Sequence, residues 1–434
     1  MKLRIENFAK IKEAEIQLDG ITVIAGLNDT GKSTVGKVLY SIFNSLNTID
    51  KSVANKRESD IRELCTEVVD GVLNQEDFYT LDDEGNLVSM VESLTQKIVE
   101  RSGKLTEQAY KEILQKEFID SNEEAAEEDI DEYVENTYQR ISTIKNTPDI
   151  DLYKEVLERY FARIFVEQMN NCDSQESDAI IALTLKSKEI KALFRKNKCV
   201  NIEMPMKILH EAYFIDDPFI LDDISPRRLR MGGFSIRNNL IRRIMYPGKS
   251  IMDGIFDAVT SKERLKEIND VFDKVVNGTI INTRVGMKFN TQEHKEPIAI
   301  SNLSAGLKGF ILIQTLLEKG ILKERDVLIL DEPEVHMHTQ WQLFYAQIIV
   351  LLQKYFDLTI LVTTHSSHFL QAIEYYSKFY KLREKCNYYL ARKGDDGVKF
   401  ENVTEDTSKI YSEMVEPSIL LDRLEEELEY RDEE

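Results

Sequence analysis

Cysteine is scarce: only Cys65, Cys172, Cys199 and Cys386 occur in 434 residues. Their spacing fits neither a zinc pattern nor a disulfide framework, so reduced thiols are expected. Positive charge is short as well. Lys and Arg number 56 against 77 Asp and Glu, a formal net charge of −21. That argues against a surface given over wholly to nucleic acid, while leaving room for a local basic groove. No apolar run is long enough for a membrane span, and the charged, alternating start MKLRIENFAKIKEAEI is unlike a signal peptide. A soluble, cytoplasmic protein is expected. Internal repeats and low-complexity linkers are missing too, and Pro148 is the single proline between residues 48 and 200.

What is present is enough for a sizeable core: 42% of residues are apolar. The length suggests two domains, or one carrying a large insertion. KLRIENF and AEIQL read as strands linked by AKIKE, and ITVIAG as a buried strand. In STVGKVLYSIFNSL, the positions Val35, Val38, Leu39, Ile42 and Phe43 follow a helical period. Residues from about 48 to 205 are polar, charged and helical in period, without sustained heptads. The acidic block NEEAAEEDIDEYVEN near their middle reads as a solvated face, or alternatively a docking surface. Beyond them AYFI, residues 279–289, PIAI, DVLILDEPE, TILVTTHSS and KCNYYLARK read as strands, with helices at LKGFILIQTLLEKGIL and TQWQLFYAQIIVLLQKYF. This alternation predicts an α/β fold around a largely parallel sheet covered by helices.

Four strings carry chemistry. GLNDTGKST has the spacing GxxxxGKS between a strand and a helix, the context in which backbone N–H groups cradle phosphates. The plainer alternative is a glycine turn. On the phosphate reading Asn28, Asp29, Thr30, Gly31, Lys32, Ser33 and Thr34 bind nucleotide. Lys32 reaches the terminal phosphates, and the Ser33 hydroxyl faces Mg²⁺. VLILDEPE ends a buried strand in Asp331 and Glu332. Asp331 suits Mg²⁺ and Glu332 suits an attacking water, the alternative being an acidic helix cap. His365 ends another buried strand, LVTTH, where it can contact a γ-phosphate; His368 reads as ordinary. In SNLSAGLKG, Ser304 and Gly306 open a helix and offer a second anion-binding geometry. One chain with one phosphate loop has no use for a second, unless that surface serves another copy. A homodimer sandwiching ATP is therefore expected.

In their order these strings resemble the ATP-binding-cassette ATPases of the SMC, Rad50 and RecF kind, with Ala305 where many members have glycine in the signature motif. The resemblance implies an ABC-type P-loop ATPase head with a mostly helical insertion. It lays out residues 1–47 as the first part of the head, 48–205 as the insertion, 206–415 as the second part and 416–434 as an acidic helix or tail. It also implies ATP and Mg²⁺, a signature serine at Ser304 reaching the partner's γ-phosphate, a catalytic pair in Asp331 and Glu332, and a switch histidine in His365. No glutamine loop is evident; YFIDDPF stands near its place, making Asp216 or Asp217 the candidate. EVHMHTQWQ is similar to the corresponding string in bacterial defence ATPases akin to overcoming-lysogenization-defect nucleases, which implies His336 and His338 at a dimer interface, with a metal the lesser alternative. The short stretch after Lys393 has no room for those nucleases' Toprim domain.

The role so implied is the sensor of an antiphage system, dimeric or of higher order, acting on a separate nuclease or toxin-like effector. The alternative is a RecF-like repair ATPase that binds DNA through Arg227, Arg228, Arg230, Arg237, Arg242 and Arg243, residues that salt bridges to carboxylates explain equally well. The helical insertion and the lack of a membrane segment disfavour a transporter subunit.

Overall fold

The computed structural model describes the whole chain except residues 74–78, 82–86, 122–126, 172–176, 225–232, 248–264, 284–285, 292–293 and 415–434. It divides into two compact units, Met1–Asn47 with Leu157–Glu434, and Thr48–Val156. Among the described residues no helix is long and apolar enough to cross a membrane.

The first unit is built on an eleven-stranded sheet. Its parallel part comprises β3 (Ile21–Gly26), β9 (Ala212–Ile215), β13 (Val327–Asp331), β14 (Thr359–Thr364) and β15 (Cys386–Gly394), in the order β15-β3-β14-β13-β9. The central segments β3 and β13 are largely apolar because both faces are covered: every residue of β3 is buried, as are Val327 to Leu330 of β13. Helix α1 (Lys32–Leu46) buries the five apolar positions expected from its period. It lies so close that a Cβ on Gly36 would stand 2.9 Å from both Ile329 and the Phe214 ring.

On the other side of β15 the sheet turns mixed, running through β16 (Gly397–Asn402), β2 (Ile11–Gln17), β1 (Lys2–Phe8), β6 (Ala179–Leu185), β7 (Lys188–Arg195) and β8 (Lys198–Glu203). Two departures from expectation lie here. The link between β1 and β2 is the tight turn Ala9–Lys10, not AKIKE, since Phe8 already pairs with Ile11. Residues 179–203, expected within the helical insertion, form three antiparallel strands of the main sheet. Burial on β7 has period two, with Ile190, Ala192 and Phe194 facing the core, while β6 buries Ile181, Ala182 and Leu183 in succession. Lys186, Lys196 and Asn197 take positive φ in the turns between them.

The second unit holds α2 (Ile49–Leu73), α3 (Met90–Glu100), α4 (Glu107–Ser121) and α5 (Glu127–Asn146), with a small hairpin of β4 (Tyr79–Leu81) and β5 (Leu87–Ser89). Helix α6 (Asp149–Phe165) runs from it into the first unit. The helices enclose a core of their own, including Val68, Leu94, Tyr110, Phe118 and Ile141. The Tyr110 hydroxyl meets Thr137 Oγ1 at 2.8 Å. Arg57 donates to the carbonyls of Lys145 and Thr147 at 3.1 and 2.9 Å and to Asp149 at 2.7 Å. The proposed C-terminal acidic tail lies outside the described residues.

Candidate nucleotide site

The phosphate loop spans β3 and α1. Gly26 takes φ 149° where any Cβ would press within 2.5 Å of the Ala391 carbonyl, and Gly31 takes φ 73° immediately before α1. Both glycines are thus required by the backbone path. Lys32 is only 4% exposed. Its Nζ donates to the carbonyls of Gly26 and Leu27 at 3.0 and 2.9 Å, which folds the side chain back over the loop. Thr30 Oγ1 donates to the Leu27 carbonyl at 2.7 Å. Asp29 faces outward between Lys10 and Lys393, whose ammonium groups hold its carboxyl down at about 2. Residues 29–34 together with Lys10, Gln168 and Glu332 line a cavity of about 310 Å³. Asn28 lies beside a smaller cavity that His365 also lines.

The ends of β3, β13 and β14 meet at this loop, as parallel neighbours in one sheet must. They bring Glu332 Oε1 to 3.5 Å from Lys32 Nζ and Glu332 Oε2 to 3.5 Å from His365 Nδ1. Glu332 stands at φ 50°, unusual for a residue with a side chain. Its N–H donates to both the carbonyl and the Oγ1 of Thr363 at 3.1 Å. The Thr363 hydroxyl in turn donates to Asp331 Oδ1 at 2.5 Å. Thr363 therefore sets both acidic residues. The sequence does not single it out; the available signal is a pair of hydroxyls, Thr363 and Thr364, at the buried end of an apolar strand.

Ser33, Asp216, Asp217, Asp331 and Glu332 line a second cavity of about 250 Å³. Asp216 follows β9, the strand paired with β13, and so arrives beside Asp331. Burial pushes the Asp216 carboxyl up, and the neighbouring Asp331 adds to the rise. Asp217 is occupied differently: it accepts from Phe219 N at 2.7 Å and from Arg237 at 2.8 Å. Both glutamine-loop candidates thus reach the cavity, Asp217 with its carboxylate already accepting two hydrogen bonds. Two facing carboxylates and a hydroxyl, all oxygen, fit a hard divalent ion completed by substrate phosphates.

Ser304 is the N-cap of the helix Ala305–Glu318, its Oγ accepting from Leu307 N at 3.4 Å. It is exposed and does not line the cavity around its own phosphate loop. Gly306 is packed so that a Cβ would come within 2.9 Å of the His336 carbonyl. His336 meets Phe219 edge-on at 5.7 Å, while His338 Nδ1 accepts from Gln340 N at 3.3 Å and caps the helix Thr339–Phe356. In the arginine cluster, Arg237 pairs with Asp217 and Asp223. Arg243 pairs with Glu211 and lies over the Tyr213 ring. Arg227, Arg228 and Arg230 lie outside the described residues.

Residues 1–370 match the family model AAA_15, described as an AAA ATPase domain. No curated protein matches the chain. Among solved structures it is similar to an SMC head bound to the C-terminal winged-helix domain of ScpA, at 11% identity and TM-score 0.40 over 94% of this chain and 98% of that one. It is also similar to the SMC head domain from Thermotoga maritima, at 10% identity and TM-score 0.34 over 93% and 98%. A third is the Smc head with an extended coiled coil bound to the C-terminal domain of ScpA, derived from Pyrococcus furiosus, at 12% identity and TM-score 0.39 over 95% and 98%.

Proposed function

Since this chain belongs to the AAA ATPase domain family and is an ATP-hydrolysing α/β P-loop protein with a largely helical insertion, we propose that it acts as a switch in which two copies share each ATP. The observation that carries the hydrolytic part is the suspension of Glu332 between Lys32 and His365 at 3.5 Å from each. The loop N–H groups, the N-terminus of α1 and Lys32 hold the phosphates and take up the charge that grows on them. Glu332 accepts a proton from water as its oxygen attacks the γ-phosphorus and the bond to the ADP oxygen breaks. His365 stands on the far side of that carboxylate and faces the γ-phosphate. Ser33, Asp216 and Asp331 would hold Mg²⁺, which would neutralise phosphate charge.

The dimer rests on Ser304. Its hydroxyl opens a helix N-terminus, is exposed, and is absent from the lining of its own phosphate cavity. A second copy related by a two-fold axis gives it a γ-phosphate to meet. Gel filtration with light scattering tests this. Glu332→Gln with ATP is expected to run as a stable dimer with turnover reduced about 10²-fold or more, and adding Ser304→Arg is expected to return it to monomer. Lys32→Ala is expected to lose nucleotide binding. Undiminished turnover in Glu332→Gln removes it as the base, and a Ser304→Arg protein that still dimerises with ATP removes the shared site.

The biological reading is a regulator whose ATP state presents or releases a separate nuclease or toxin-like effector in antiphage defence. It rests on the likeness of EVHMHTQWQ to defence ATPases. The DNA-repair alternative is weakened by Arg237 and Arg243, which already face carboxylates. An effector that co-purifies with the chain and is released on ATP addition supports the first reading. DNA affinity that falls steeply with salt and disappears on neutralising Arg227 and Arg228 supports the second.

A further inference from the structure

Glu334, the last acidic residue of DEPE, has no part in the chemistry above, yet it is 2% exposed. Its Oε1 accepts from the Thr364 hydroxyl and from the backbone N–H of His365, the latter at 3.3 Å. Its Oε2 is buried and meets no donor among the described residues. Burial pushes the carboxyl up, with the Thr364 hydroxyl opposing. A half-satisfied buried carboxyl is costly where an apolar side chain would fill the space, so its place needs a reason.

The surrounding bonds supply one. Ser366 N donates to Thr364 Oγ1 at 3.0 Å, and Ser366 Oγ donates to Gln342 Oε1 at 3.1 Å. Gln342 Nε2 donates to the Met337 carbonyl at 3.2 Å, and Met337 N to the Glu334 carbonyl at 2.9 Å. The circuit closes on the turn that carries Glu332, whose carbonyl accepts from Val335 N at 3.2 Å. The segment bearing Glu332 and the one bearing His365, joined upstream by strand pairing, are thus tied again beyond the strand ends through the Glu334 carboxyl.

We propose that Glu334 is a positioning residue for ATP hydrolysis, fastening the backbone of His365 to the turn that carries Glu332 so that their side chains meet before nucleotide arrives. This rests on the reading that His365 faces the γ-phosphate. It makes no claim of contact between Glu334 and substrate.

Single-turnover hydrolysis and equilibrium ATP binding test it on the full chain. Glu334→Ala is expected to lower the hydrolysis rate about tenfold or more, with ATP affinity within about twofold of the parent. Thr364→Val, nearly isosteric and on the opposite side of the bond, shifts the rate the same way. Glu334→Gln keeps an acceptor for the His365 N–H and recovers most of the rate. In a His365→Ala background Glu334→Ala adds little further loss, because the two act in series. Full additivity with His365→Ala, or parallel loss of affinity and rate in Thr364→Val, overturns the proposal and leaves Glu334 a core residue. If His365→Ala alone leaves the rate unchanged, the reading of His365 falls and this one with it. If His365→Ala slows hydrolysis while Glu334→Ala and Thr364→Val do not, this inference alone fails.

Discussion

Asp326 shows how position alone changes a side chain's chemistry. It immediately precedes β13 and is 3% exposed. It accepts from the backbone N–H groups of Glu211 and Lys323 at 3.1 and 2.9 Å, with His210 at 3.8 Å. Burial lifts its carboxyl from the ordinary 3.8 to about 6, against the pull of the Lys323 N–H and of His210. The folded chain therefore holds this proton more tightly than the unfolded chain does. The stabilisation is fully present below about pH 4 and is lost as pH rises through about 6. Asp326→Asn cannot ionise, so its melting temperature is expected to gain on the parent's as pH goes from 4 to 7. A difference between the two that stays constant across that range contradicts the assignment. Glu334, buried at the site itself, belongs to the same class of residue, with burial again the largest influence on its carboxyl.

At the scale of elements, the contact of α1 with the sheet decides where the phosphate loop points. Gly36 is the point of closest approach, 2.9 Å between a would-be Cβ and either Ile329 or Phe214. Alanine there gains up to about 1 kcal/mol in helix propensity and loses about 1–3 kcal/mol by overpacking. Gly36→Ala is therefore expected to melt a few degrees lower and to bind ATP more weakly, both readable in one thermal-shift titration. An unchanged or raised melting temperature with normal affinity argues that the helix has room to move. The strands repeat the lesson in another form. The runs at β3, β13 and β14 were readable because both faces of a parallel strand are buried and the apolar run is continuous. β6, a short apolar run, cannot be told from a buried helix segment by periodicity alone, and β7 and β8 were hidden because their buried residues are interspersed with charged and polar ones. β16 was missed for the same reason: in GVKFEN only Val398 is buried.

At the scale of the molecule, the second unit has its own enclosed core, with Ile61, Leu64, Val68, Leu94, Tyr110 and Phe118 all buried. A segment that buries that much apolar surface is large enough to fold alone. Residues 48–156 expressed by themselves are expected to give a helical circular-dichroism spectrum and one cooperative thermal transition. A gradual, non-cooperative melt indicates that the core depends on the remainder of the chain. The sequence pattern predicts a helical insertion reaching residue 205, whereas the second unit ends at Val156. The remainder belongs to the first unit because β6 pairs with β1, a partner more than 170 positions away in the register Lys2 to Thr184.

The sequence by itself determined the phosphate loop and the acidic strand end, because their chemistry lies in contiguous residues: a lysine after the glycine loop, and two carboxylates after four apolar residues. Tertiary structure decided what joins them. It placed Asp216 and Asp217 on the cavity beside Asp331, set Asp331 and Glu332 through Thr363, gave Arg237 and Arg243 carboxylate partners, and buried Glu334 against the backbone of His365. Each of these depends on which distant segments lie side by side, and strand order is set by packing across the whole sheet, which no local pattern encodes.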